Sequence, residues 1–186
     1  MNSDGIPSPA QRTASRLRGL AEIVFMLVAL VVAARVFLAD VRVTGEAMSP
    51  NFGSGDRILA LKLPYLIAPP QRGDLAVVRE PQTGGALVLR RVIGLPGEKI
   101  NVRGRQVLVN DAILAEPYLA APSTGEVINF TGEFRLQNDE YLLLSDSRET
   151  QGGFGDSRSW GAVPSARIEG RAFLVYWPLS GFRLAQ

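Results

Sequence analysis

The spacing of apolar and polar residues changes character near residue 40. Residues 1–19 are polar, and Asn2, Ser3, Asp4, Gly5, Pro7 and Pro9 offer little to pack, so this stretch reads as a flexible tail. Residues 23–34 then run without a single polar side chain, Arg35 interrupts, and Val36, Phe37, Leu38 and Ala39 continue the apolar run. As a helix, residues 23–39 rise about 25 Å, near the roughly 30 Å of a bilayer core, and Leu20 and Ala21 add length. Glu22 and Arg35 lie near the two ends, where long side chains reach water. The pattern predicts a transmembrane anchor over residues 20–39. Two other readings are weaker. A cleavable secretory signal wants a small residue at −3, which Phe37-Leu38-Ala39 lacks. A buried soluble helix would carry a polar stripe, and this one is apolar all round.

From residue 41 the period becomes that of strands. Short apolar runs occur at 56–61, 74–78, 85–89, 106–109, 140–144 and 172–177, each bounded by Gly, Pro, Asn or Asp. No long amphipathic helical stretch follows. The fold class predicted is mainly β: a folded antiparallel β-sheet domain over residues 40–186 behind one N-terminal transmembrane helix. Residues 118–135, with Pro122-Ser123-Thr124-Gly125, read as an excursion from the sheets.

Composition narrows the chemistry. The chain has 186 residues, 46% of them hydrophobic, enough for one domain with a core. Its net charge of +2 comes from scattered arginines, which argues against a nucleic-acid partner. It has no cysteine and no histidine. Disulfides, thiolate nucleophiles and the usual zinc sites are thereby excluded, and no metal or cofactor is expected. Arg12, Arg16 and Arg18 precede the apolar segment, whereas Asp40 and Arg42 follow it. The positive-inside bias then predicts a cytoplasmic N-terminus and an extracytoplasmic β domain.

Four motifs follow the apolar segment in order. The first is Gly45-Glu46-Ala47-Met48-Ser49-Pro50, directly after Val43-Thr44. The second is Gly55-Asp56-Arg57-Ile58-Leu59-Ala60-Leu61-Lys62, with Tyr65 beyond it. The third runs Arg72-Gly73-Asp74, then Leu89-Arg90-Arg91-Val92-Ile93-Gly94-Leu95-Pro96-Gly97. The fourth is Asp146-Ser147-Arg148, then Asp156-Ser157-Arg158-Ser159-Trp160-Gly161. In this order they resemble the conserved boxes of the type I signal peptidases, the bacterial peptidase S26 family. The resemblance covers nearly all of residues 20–177. It implies a membrane-anchored serine endopeptidase of the bacterial cytoplasmic membrane that processes signal peptides during protein secretion. A serine hydroxyl attacks, and a buried neutral lysine takes its proton.

The resemblance puts Ala47 at the nucleophile position and Arg90 at the general-base position. A methyl group cannot attack, and a guanidinium stays protonated, so neither residue supports the family's reaction. Gln151 falls near the place of a supporting serine. Val43, Gly45, Ala47, Met48 and Leu89 are the peptide-groove and oxyanion candidates that the resemblance implies, and Arg91–Asp146 and Asp156–Arg158 are expected scaffold ion pairs. Three readings of function remain. One is a pseudopeptidase that binds signal peptides or exported segments, or serves as a subunit of a membrane complex. The second is an active peptidase with relocated groups, with Ser49 or Ser54 as nucleophile and a rebuilt dyad such as Ser49–Lys62, or a form inactivated by substitution. The third is a membrane-tethered structural domain with no peptide groove in use. The expected partners are exported peptide segments, the lipid bilayer and other subunits of a membrane complex.

Overall fold

A computed structural model describes residues 9–82, 84–119, 130–148 and 155–185. Helix α1 spans Pro9–Phe37. It begins well before the expected anchor, because Ala10, Gln11, Arg12, Ala14, Arg16, Leu17 and Arg18 are good helix formers. The tail expected over residues 1–19 is therefore helical from Pro9 onward, and residues 1–8 lie outside the described residues. The segment Arg18–Phe37 has a mean hydropathy of 2.4 with none of it buried, so it is long and apolar enough to cross a membrane. Helix α1 and the residues from Leu38 onward are two separate compact units.

The second unit is built almost entirely of antiparallel strands. Strand β1 (Leu38–Arg42) pairs with β2 (Arg57–Leu61) in the register Leu38 to Leu61 and Arg42 to Arg57. Leu38 and Ala39, expected at the end of the anchor, thus belong to the sheet. Both segments are apolar there, so composition alone does not mark the boundary. A short helix α2 (Leu63–Ile67) follows β2. Strands β3 (Leu75–Arg79) and β4 (Leu87–Gly94) form the next hairpin. Strands β5 (Lys99–Arg103), β6 (Gln106–Val109), β7 (Ala112–Ile113) and β8 (Thr131–Arg135) make a separate four-stranded sheet in the order β7-β6-β5-β8. The chain returns through β9 (Glu140–Leu144), a single-turn helix α3 (Ser157–Trp160), β10 (Val163–Pro164), the long β11 (Ile168–Trp177) and β12 (Arg183–Leu184). The larger sheet has the order β1-β2-β11-β3-β4-β9-β10, with β12 on β11.

Burial explains the sequence pattern. Strand β3 is covered on both faces: Leu75 and Val77 join one core cluster, and Ala76 and Val78 join another. Hence it reads as an unbroken apolar run rather than an alternation. Strand β5 alternates instead, burying Ile100 and Val102 in a third cluster with Ile93, Val107, Leu142 and Leu144. Lys99, expected in a turn, opens this strand and pairs with Asp111 at 3.2 Å. Residues 131–135, expected in an excursion, form β8 against β5, and the Pro122-to-Gly125 turn lies outside the described residues.

Gly170 shows how closely β2 and β11 approach. A Cβ there would sit 2.6 Å from the backbone oxygen of Leu61. Backbone cannot rotate away as a side chain can. Gly170→Ala is expected to destabilise the domain by about 1–3 kcal/mol, read as a lower midpoint in denaturant unfolding. An unchanged midpoint would mean that the two strands can part at no cost.

Candidate functional site

The site grows from the loop after β1. Val43 donates to the carbonyl of Asp56 at 2.8 Å and Gly55 to that of Val43 at 2.9 Å, pinning the two feet of the loop together. Gly45 has φ +70°, in the left-handed region that favours glycine, and turns the chain. Met48 and Phe52 are buried in the first core cluster, and the Phe52 amide bonds the Met48 carbonyl at 2.9 Å. Ala47 is thereby held half-buried beside the core. Its carbonyl accepts from the Ser147 amide at 2.9 Å, tying the loop to the segment after β9.

Across from this loop runs β4. A cavity of about 20 Å³ lies between them, walled by Arg42, Val43, Thr44, Ala47 and Met48 on one side and Val88, Leu89 and Arg90 on the other. That is room for roughly one water-sized group. Four of the five sequence-predicted groove residues meet here; Gly45 does not line the cavity and acts through the turn. Ser49, Ser54 and Lys62 do not line it either.

The strand edges around the cavity are open. Strand β1 ends the larger sheet and, among the described residues, pairs with β2 alone. Strand β4 pairs with β3 along residues 87–91, but its ladder to β9 begins only at Arg91. Residues 87–90 therefore have no strand on that side among the described residues. Apart from the Leu89 carbonyl, which accepts from Arg90 Nη1, backbone groups on that side are available to an added strand.

Arg90 lies 7% exposed. Its Nε donates to the Gly155 carbonyl at 2.8 Å and Nη1 to the Leu89 carbonyl, and its guanidinium sits 5.7 Å from the Trp160 ring centre. Burial lowers its pKa, with Asp156 and Glu80 acting in the opposite sense. A guanidinium starts high enough to stay charged regardless.

The neighbouring arginine is held differently. Arg91 makes a two-pronged pair with Asp146, at 2.8 and 2.7 Å, and lies 4.0 Å over the Tyr118 ring. Asn51 donates to the same carboxylate at 2.8 Å. Asp156 pairs with Arg158 at 2.7 Å and also accepts from the amides of Ser145 and Arg158. Both ion pairs predicted from sequence are thus present and buried. A third was missed: Arg148 pairs with Glu116, which also accepts from the Tyr118 hydroxyl at 2.5 Å. Burial beside Glu116 pushes the Tyr118 phenol well above its ordinary pKa, keeping it a donor. Arg148 stood in a recognisable motif, but Glu116 lies 32 residues away in a segment without periodicity, so no local signal linked them. Gln151 falls outside the described residues.

The sequence also has relatives of known family. It is 34% identical over 158 residues to a probable signal peptidase I-2 of Synechocystis sp., covering 82% of this chain and 69% of that protein. It is 35% identical over 162 residues to signal peptidase I of Leptolyngbya laminosa, covering 82% of this chain and 76% of that one. It is 30% identical over 172 residues to signal peptidase I U of Bacillus subtilis, covering 88% and 89%. The profile of the family described as signal peptidase, peptidase S26, matches residues 17–177, taking in the apolar helix, the loop that carries Ala47, strand β4 and the Asp146 and Asp156 ion pairs. On that match the chain belongs to the signal peptidase S26 family.

Proposed function

We propose that this protein is a non-catalytic signal-peptidase homologue that holds extended segments of exported proteins in the groove between β1 and β4. One observation carries the reading: the cavity between two open strand edges is walled by Ala47 and Arg90, which supply neither a nucleophile nor a base. What remains is the equipment for strand addition. Exposed backbone donors and acceptors on both sides would pair with an extended peptide, and a cavity this small would admit only small side chains. The relocated alternative has no comparable support, because Ser49, Ser54 and Lys62 stand apart from the cavity. Helix α1 would tether the domain to the bacterial cytoplasmic membrane, with the arginine-rich N-terminal flank inside and the groove outside.

The test is direct. The full chain in detergent is titrated into a fluorescent peptide with small residues at alternate positions near its end. Binding is expected by anisotropy, weakened at least about tenfold when those small residues are made bulky. Ala47→Phe, which fills the cavity, is expected to weaken binding by a similar factor. Equal binding of small and bulky peptides would refute a groove of this kind.

A further inference from the structure

Four arginines are buried in the β domain: Arg90, Arg91, Arg148 and Arg158. Three of them meet a carboxylate, namely Asp146, Glu116 and Asp156. Arg90 does not. Its hydrogen bonds go to the carbonyls of Gly155 and Leu89, which are neutral. The nearest acidic influences are Asp156 and Glu80, and Asp156 is already engaged by Arg158 through both of its oxygens. The Nη2 of Arg90 takes part in neither carbonyl bond, and it is not among the buried polar atoms left without a partner, which among the described residues number only Trp160 Nε1, so this end of the guanidinium is open to an incoming acceptor. A buried cation without a counter-ion is an electrostatic demand that an incoming anion would meet.

Arg90 also walls the cavity with Ala47. Ala47 itself brings only a methyl to that wall, and the space accepts about one water-sized polar group. A carboxylate oxygen is such a group, and guanidinium pairs with carboxylates better than with any neutral acceptor. The cavity lies between strand edges suited to an extended peptide. The anion found at the end of an extended peptide is its α-carboxylate.

We propose that the groove recognises a free C-terminal carboxylate: it binds peptide chains that end beside Ala47, with Arg90 as the counter-charge, rather than chains that run through. A continuous chain would place a neutral peptide carbonyl against a buried cation. The class of ligand is therefore the released end of an already cut polypeptide. This rests on the peptide-binding reading above and specifies its ligand.

The experiment compares two fluorescent peptides of identical sequence with small residues at alternate positions, one ending in a free carboxylate and one in a carboxamide. Each is titrated against the full-length chain in detergent and against Arg90→Gln. The free acid is expected to bind the wild-type chain at least about tenfold more tightly than the amide, with the advantage falling as salt rises. In Arg90→Gln the two peptides are expected to bind within about twofold of each other. Equal binding of acid and amide to wild type would overturn the carboxylate assignment while leaving the groove reading intact. A preference for the acid that survives in Arg90→Gln would remove Arg90 from the role. No binding of either peptide would sink the groove reading itself, and this inference with it. Arg90→Met serves as a second variant should glutamine disturb folding.

Discussion

Ala47→Ser/Arg90→Lys is expected to cleave a preprotein carrying a small-x-small site, and the wild-type chain to leave it intact. The expectation follows from the environment of the two positions. They wall one cavity, so a hydroxyl and an amine placed there would face a common space. Position 90 is buried, and that burial is the leading cause of the lowered pKa of Arg90. The same desolvation would act on a lysine, whose ordinary value of about 10.4 lies low enough for burial to bring it toward neutrality. A neutral amine can take the serine proton, whereas a guanidinium cannot. Neither single variant is expected to help, because nucleophile and base act as a unit. Each should remain at least about 10²-fold slower than the double variant. Cleavage is followed by gel on the purified proteins, with peptide binding measured in parallel. Cutting by the wild type would refute the non-catalytic reading. A double variant that binds peptide yet cuts nothing would show that the loss of activity extends past these two residues.

Asp146→Ala is expected to destabilise the β domain by about 3–5 kcal/mol, a fall in Tm of roughly 6–20 °C. Asp146 and Arg91 are each 3% exposed, so removing the carboxylate would strand a guanidinium in the interior. Among the described residues, Arg91 would keep the Gly73 carbonyl at 3.0 Å and the Tyr118 ring. The effect should reach the site as well. Asn51, in the loop that carries Ala47, would lose its bond to Asp146. The exposed pair Asp40–Arg57 provides the contrast, with side chains 41% and 47% accessible. There Asp40→Ala is expected to change stability by less than about 1 kcal/mol. The apolar double variant Arg91→Met/Asp146→Leu should recover much of the loss, since no charge is then buried unpaired. Thermal unfolding of the three variants measures this. If Asp146→Ala unfolds like Asp40→Ala, the buried pair does not hold the site in place.

The two predictions draw on different depths of the same chain. The long apolar helix was legible because residues 23–34 are apolar on every side, and the central strands because their apolar runs are interrupted by turn residues. The motifs also mark Ala47, Arg90 and the Arg91 and Asp156 pairs. Other features were not legible. The helix start at Pro9 was hidden by turn-like residues nearby, and the entry into β1 by apolar residues on both sides of it. The pair Arg148–Glu116 joins two segments with nothing in common along the chain.

Local order, in short, follows from periodicity and turn chemistry, which act among near neighbours and are written in consecutive residues. Which charges are paired, and which strand edges stay open, depends on contacts between segments distant in the chain. The sequence by itself determined that residue 90 is a permanent cation and residue 47 a methyl group. Only the tertiary structure decided that this cation lies buried, with no ion pair among the described residues, on the wall of a cavity between two open edges. Burial and long-range pairing arise when the sheet closes around the site, and no run of neighbouring residues encodes them.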